Sequence, residues 1–153
     1  MGLWAAGLVG VLVVLDQLTK VFALQYLKPV GNITIFPHVL DLTFVENRGV
    51  AFGLFSGQRW FILLVTAVIC IGLIWYWKSL PQKKAYKPLR ISLLLILGGA
   101  ISNILDRLFR GYVVDYLEVT FIDWPVFNLA DIFVVVGTIL MAIMVLFVLK
   151  DET

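Results

Sequence analysis

The chain has 153 residues, 61% of them hydrophobic and only 14% charged, with a formal net charge of +2. That length bounds it to one domain, and the composition excludes an ordinary soluble globule. So small a charge, with no Lys/Arg run interleaved with aromatics, argues against a nucleic-acid partner.

A helix crossing hydrocarbon needs about 20 mostly apolar residues. Four segments meet that length, at about 3–27, 60–77, 89–109 and 127–149, so the reading is an all-α membrane protein with four transmembrane helices. The first segment lacks a basic n-region, runs long, holds Asp16 and Lys20 and offers no small-residue cleavage site. It therefore reads as a permanent span and not a cleavable leader. Asp16 and Lys20 are four apart and can pair along the helix, and with Gln17 and Thr19 they predict a helix that faces the bundle interior. In the next loop, Ile33–Ile35 and Leu40–Phe44 alternate apolar and polar, as Leu117–Phe121 does later. These runs predict short strands forming a small sheet on the membrane surface. The lone His38 sits in the loop without a second His or a Cys to build a metal site, and the expectation is no metal and no cofactor. Val50–Phe55 is apolar and aromatic but too short to cross, which suggests an interfacial helix or flap.

The second span is bordered by Trp60 at one end and Trp75, Tyr76 and Trp77 at the other, an aromatic belt. Its Cys70, the only cysteine, cannot form an internal disulfide and reads as a buried packing residue. From Lys78 to Arg90 come five basic residues and no acid. The positive-inside tendency makes this loop cytoplasmic. Parity then puts both termini in the cytoplasm, and residues 28–59 and 110–126 outside.

On the third helix Gly99, Asn103, Asp106 and Arg107 share a face, while Gly98 and Ser102 form a small-xxx-small pair. Asp106 and Arg107 read as an internal ion pair, and Asn103 as interhelical glue or as part of a site. Asp115 follows just beyond this helix, and Asp131 lies in the first turn or so of the fourth, one turn after Asn128. Asp131 alone would be explained as an acid complementing a helix macrodipole. Two acids at the outer ends of apolar spans suggest more, because ionisable groups at membrane depth are costly and mark working sites. A loop of fifteen residues separates them and can bring both to one level. Their joint role is catalysis or ion handling. No phosphate-binding glycine loop and no Ser–His pairing compete with them.

Five stretches resemble the motif set of the lipoprotein signal peptidases, or signal peptidase II, in order along residues 15 to 137. They are Asp16–Lys20, Asn47–Phe52, Gly98–Arg107, Val113–Tyr116 and Trp124–Asp131. The resemblance implies a bacterial inner-membrane aspartic peptidase with its active site near the extracytoplasmic face. It would cut signal peptides from prolipoproteins before a diacylglyceryl-modified cysteine, without a metal or cofactor, and cyclic peptide antibiotics such as globomycin would block it. It implies Asp115 and Asp131 as the catalytic dyad, with Asp16, Asn47, Asn103, Arg107, Asn128 and Ala130 around the active site. Lys20, Gly99 and Asp106 fall within the matching motifs and are read as support. One departure is Ser102, where the family usually has Gly; its hydroxymethyl group would tighten helix contacts or make a hydrogen bond. A shared-proton cycle fits these residues: one ionised aspartate activates water, the other, protonated, hydrogen-bonds the scissile carbonyl. The substrate's signal helix and acyl chains would enter laterally from membrane lipid. Two rivals remain at this stage, a four-span proton or ion conductor and a scaffold whose polar groups only lock helices together.

Overall fold

The computed structural model describes residues 2–50 and 54–148. Helix α1 spans Leu3–Phe22 and continues through a π-helical turn, Ala23–Leu27. It ends where Gly31, at φ 86°, sends its N–H back to Leu27 O at 2.7 Å. That left-handed conformation suits glycine and stops the helix. Strands β1 (Asn32–Phe36) and β2 (Leu40–Asn47) follow, then α2 (Arg59–Ser79), α3 (Lys87–Phe109), β3 (Val113–Val119) and α4 (Leu129–Ile143) with a final π-helical turn, Met144–Val148. Pro88 opens α3, where its missing N–H is harmless.

All four expected spans are long, apolar helices, with described limits Leu3–Leu27, Arg59–Ser79, Lys84–Phe109 and Leu129–Phe147. The fourth starts two residues later than the hydropathy suggested, because Asn128 caps α4 and Phe127 bridges to Leu117 instead. The far end at Leu149 lies outside the described residues, as do residues 51–53 at the centre of the expected flap. Beside them, Leu54–Gly57 form a turn, tied down by Val50 N–H to Leu54 O at 2.9 Å.

Helix α3 is the hub, packing against α1, α2 and α4. Glycines allow its closest approach. A Cβ on Gly99 would stand 2.3 Å from the Ala130 carbonyl oxygen, so any side chain there would push α4 away. The outer faces are apolar: Val14, Leu18, Leu64, Val68, Val135 and Ile139 are all exposed. A continuous apolar exterior of this kind suits lipid, not water. Cys70 is buried among Val9, Leu93 and Trp77, as its setting predicted.

The three strands form one antiparallel sheet in the order β1-β2-β3. The two early strands appear where alternation predicted them. The third differs: it runs from Val113 to Val119, not from Leu117 to Phe121. Val113, Val114 and Asp115 therefore belong to a strand, with Asp115 opposite Val45 and Val113 opposite Asn47. Ala23, Leu27, Val114 and Tyr116 form a small apolar cluster beneath the sheet. A larger one, including Ala5, Val9, Leu89, Leu93 and Leu97, fills the opposite end of the bundle. Between these two lies a polar layer.

Candidate active site

Four elements meet in that layer. Helix α1 contributes Asp16 and Lys20, both wholly buried, which form the expected ion pair at 2.7 Å. The ammonium of Lys20 also reaches Asp106 on α3 at 3.0 Å and donates to Asn103 Oδ1 at 2.8 Å. All three of its protons thus have partners. Asp106 accepts in addition from Gln17 Nε2 at 2.9 Å, from Val114 N–H at 3.0 Å and from Arg110. Asp16 accepts from Ala130 N–H at 2.8 Å and from Ser102 Oγ at 2.6 Å. Two acids and two bases so disposed are neutral as a set, and their remaining lone pairs are used by amide donors. Buried charges need this degree of pairing.

The expected Asp106–Arg107 ion pair does not form. Successive residues on a helix diverge by about 100°, whereas residues four apart face one another. Asp106 therefore pairs with Arg110, whose i+4 spacing was the overlooked signal. Arg107 turns instead toward the sheet, donating to Gly49 O at 2.8 Å and to Asn103 O at 3.4 Å. Its charge remains close enough to act on both Asp115 and Asp131.

The network's purpose is visible in what it holds. Asp16 grips the backbone of Ala130, beside Asp131, and Asp106 grips that of Val114, beside Asp115. Asp115 is almost wholly buried, and each of its oxygens accepts from an amide: Asn128 Nδ2 at 2.6 Å and Asn47 Nδ2 at 2.8 Å. Asp131 is less buried. Its Oδ1 accepts from Asn103 Nδ2 at 2.9 Å and its Oδ2 from Asn128 N–H at 3.1 Å. Asn128 Oδ1 returns a bond from Asp131 N–H at 3.0 Å, completing a capping box. Asp131 does act as a first-turn acid on α4, as the dipole explanation required. It is also joined through Asn128 to Asp115.

Burial pushes the Asp115 carboxyl up to about 7, and the neighbouring Asp131 charge adds to the rise, against the amides of Asn47 and Asn128. A like-charged acid beside a desolvated one is the arrangement that shares a proton near neutrality. A cleft of about 340 Å³ opens onto Asp115, lined also by Asn47, Gly49, Val50, Ser56 and Pro125.

The family model for signal peptidase (SPase) II matches residues 8–147. The chain belongs to the signal peptidase II family. Among relatives of this peptidase, the lipoprotein signal peptidase of Clostridium acetobutylicum is 46% identical over 147 residues, covering 94% of this chain and 92% of the relative. That of Caldanaerobacter subterraneus subsp. tengcongensis is 42% identical over 140 residues, covering 92% and 94%. A bacterial membrane enzyme solved by the in meso method at 2.3 Å superposes with a TM-score of 0.85 at 29% identity, covering 97% of this chain and 91% of its own. A second such enzyme, at 1.9 Å, gives 0.80 at 31% identity over 94% and 92%. The protein is thus a multi-pass membrane peptidase.

All eleven residues singled out in the sequence lie in or against this signal peptidase II layer. Gly99 acts through its missing side chain and Ala130 through its backbone N–H. Four residues were underweighted: Arg110, Gln17, Thr19 and Tyr116. The Tyr116 hydroxyl donates to Thr19 Oγ1 at 2.7 Å and accepts from Leu129 N–H at 3.3 Å, joining α1, β3 and α4. Ser102 is resolved in favour of a hydrogen bond: its buried hydroxyl donates to Asp16 and accepts from Gln17 Nε2 at 3.0 Å. Asp16 keeps Lys20 and Ala130 without it. Ser102→Gly is therefore expected to retain most cleavage while losing stability, by about 1–3 kcal/mol from the lost bond to a charged acceptor and about 0.5 kcal/mol or more from glycine in a helix. Thermal unfolding and turnover of the purified variant check this; a folded variant that no longer cleaves would assign the hydroxyl a role in the reaction.

Proposed function

We propose that this protein is an aspartic endopeptidase that removes signal peptides from prolipoproteins, cutting before a lipid-modified cysteine, with Asp115 and Asp131 as its catalytic pair. The observation that carries the reading is the bridge through Asn128, whose amide donates to Asp115 while its carbonyl accepts from the backbone of Asp131. The pair carries one proton at neutral pH. Asp115, more buried and pushed up to about 7, is the member that holds it for the larger share. Asp131, the less buried of the two, takes a proton from the attacking water, and protonated Asp115 hydrogen-bonds the scissile carbonyl as charge develops on its oxygen. The proton then passes to the leaving amine. Arg107 balances the single negative charge of the pair without touching either carboxylate. Asn47 and Asn103 hold the two acids in place by neutral hydrogen bonds that survive in a poorly hydrated layer.

The substrate's apolar signal helix and acyl chains reach the cleft sideways from the bilayer, past the exposed aliphatic faces of the spans. Cyclic peptide antibiotics such as globomycin would occupy the same cleft. An ion conductor fits less well. Among the described residues, the interior between Ser102 and Arg90 on α3 presents Leu93, Leu94 and Leu97, with no titratable relay beyond the polar layer. Purified protein in proteoliposomes is expected to cleave a diacylglyceryl-modified prolipoprotein and to carry no proton current. Proton flux without cleavage would replace the peptidase by the conductor.

Orientation follows from charge. Five basic residues between Lys78 and Arg90 put that end of the bundle, and both termini, in the cytoplasm. The catalytic layer then lies near the extracytoplasmic face. Gln82 and Asp123, both exposed, test it. Single cysteines there are expected to react with an impermeant thiol reagent from opposite sides, position 123 from outside. Labelling of both from one side would refute the arrangement.

A further inference from the structure

The first N–H groups of a helix have no partner within it, and in α4 they are taken up by different parts of the fold. Ala130 N–H goes to Asp16 of α1 at 2.8 Å, and Asp131 N–H to the cap residue Asn128 at 3.0 Å. Leu129 N–H goes to the hydroxyl of Tyr116 at 3.3 Å. Tyr116 follows Asp115 on β3, and Leu129 stands two residues before Asp131. One hydroxyl thus joins the strand that carries one acid to the helix that carries the other.

This link differs from its neighbours in what it uses. Asn128 Nδ2 donates to Asp115 and Asn103 Nδ2 to Asp131, so both of those bonds end on carboxylates whose charge changes during the cycle. Asp16 holds α4 to α1 and not to β3. The backbone pairing of Tyr116 and Leu117 with Phe127, at 2.8 to 3.0 Å, stops at the residue before the cap. Beyond that point α4 can pivot about Asn128. The Tyr116 hydroxyl pins the helix side of this joint without touching either carboxylate, so it holds the same geometry whichever acid carries the proton. Its own proton goes to Thr19 Oγ1 at 2.7 Å, and Thr19 Oγ1 donates to Asp16 O at 2.7 Å. The chain of bonds therefore ends on the backbone of α1.

We infer that Tyr116 is a positioning residue for the proposed cleavage, and that its hydroxyl fixes where Asp131 stands relative to Asp115. The inference rests on the assignment of those two acids as the catalytic pair. Tyr116 acts through them and not on the substrate. It is 8% exposed, packs with Ala23, Leu27 and Val114, and is absent from the walls of the cleft that opens onto Asp115. Alternation along a strand turns its side chain to the face opposite that of Asp115. Its effect falls on the geometry of the pair, where a misplacement of about 1 Å costs about a hundredfold in rate.

Tyr116→Phe keeps the ring in its apolar cluster and removes the hydroxyl. The full chain, purified in detergent, is assayed for turnover of a lipidated prolipoprotein well below Tm and per folded molecule, so that lost stability alone does not register. Tyr116→Phe is expected to lower kcat by about tenfold or more while KM stays within about twofold of the parent. Thr19→Val, which leaves the phenol in place and removes the oxygen it donates to, is expected to lower kcat likewise. Thr19→Ser, which restores that oxygen, should recover most of the loss. A folded Tyr116→Phe enzyme whose kcat falls by less than about tenfold overturns the inference. A rise in KM at unchanged kcat overturns it too, since Tyr116 would then serve substrate binding. If Tyr116→Phe does not fold, the two Thr19 variants decide, and equal kcat for Val and Ser overturns it. The underlying reading fails separately: inactive Asp115→Asn and Asp131→Asn beside a fully active Tyr116→Phe would keep the catalytic pair and remove only the positioning role.

Discussion

Asp115→Asn and Asp131→Asn are each expected to lower turnover of a lipidated prolipoprotein by about a thousandfold or more, since each deletes a proton position that the cycle uses. The double variant should be about as inactive as either single, because residues acting as a unit do not add. Asn keeps the shape of the side chain, so both variants should fold. Asp115→Asn carries its own control in the pH dependence of stability. Burial and Asp131 raise the Asp115 carboxyl from 3.8 to about 7, so the folded state binds more protons than the unfolded chain between those values. Stability then falls as pH rises through that window, and the loss is complete above the folded value. Replacing Asp115 by Asn removes the loss. It also turns one NH2 toward the amides of Asn47 and Asn128, which costs a hydrogen bond at every pH. The Tm difference between variant and parent should therefore shift in the variant's favour from about pH 4 to about pH 8. Cys70→Ala should leave turnover largely intact, since Cys70 packs in the apolar cluster at the other end. A folded Asp115→Asn or Asp131→Asn enzyme that cleaves at near-native rate would end the aspartic reading.

Much of this architecture was legible because the bilayer simplifies the code. Hydrophobic length alone located the four spans, and acids in such helices stood out by their cost. The Asp16–Lys20 pair was legible because both partners lie on one helix, four residues apart. What the chain hid was non-local. Asp115 looked like a residue in the loop after α3, since Val113 and Val114 do not alternate with polar neighbours. It is a strand residue because β2, from the first outer loop, supplies the pairing edge, and Val114 can be apolar because Ala23, Leu27 and Tyr116 cover it. Strand assignment there depends on burial by distant elements, which local periodicity cannot report. Arg107 was misassigned for a simpler reason. Adjacency in sequence suggested a pair that helix geometry forbids, and the partner was Arg110, three residues further on. The acids themselves were conspicuous. The division of labour between the Asp16–Lys20–Asp106 network and the Asp115–Asp131 pair was not, because both read as polar groups in apolar helices.

That division sets the second large effect, which should fall first on stability and reach the chemistry only through it. Lys20→Met keeps most of the unbranched stem of the side chain and removes its charge. Asp16 and Asp106, wholly buried and both held by Lys20 at 2.7 and 3.0 Å, would then face each other with Arg110, paired to Asp106, and the more distant Arg107 left to offset them. Breaking a buried pair by removing one partner costs about 3–5 kcal/mol, a large share of the about 5–15 kcal/mol that holds a typical fold together. Lys20→Met is expected to give much lower yield and a sharply lower Tm in detergent. Asp16 and Asp106 clamp the backbone beside Asp131 and Asp115, so surviving protein should also cleave slowly. If uncompensated charge is the cause, neutralising one acid should repair part of the damage. Lys20→Met/Asp106→Asn should be more stable than Lys20→Met alone, although Asp106→Asn by itself should destabilise the parent. Such a reversal of sign is the mark of direct coupling. Thermal unfolding of the four proteins completes the cycle. Additive losses would mean that Lys20 supports the fold through packing of its aliphatic stem, and that the layer around Asp115 and Asp131 does not depend on the ion network for its shape.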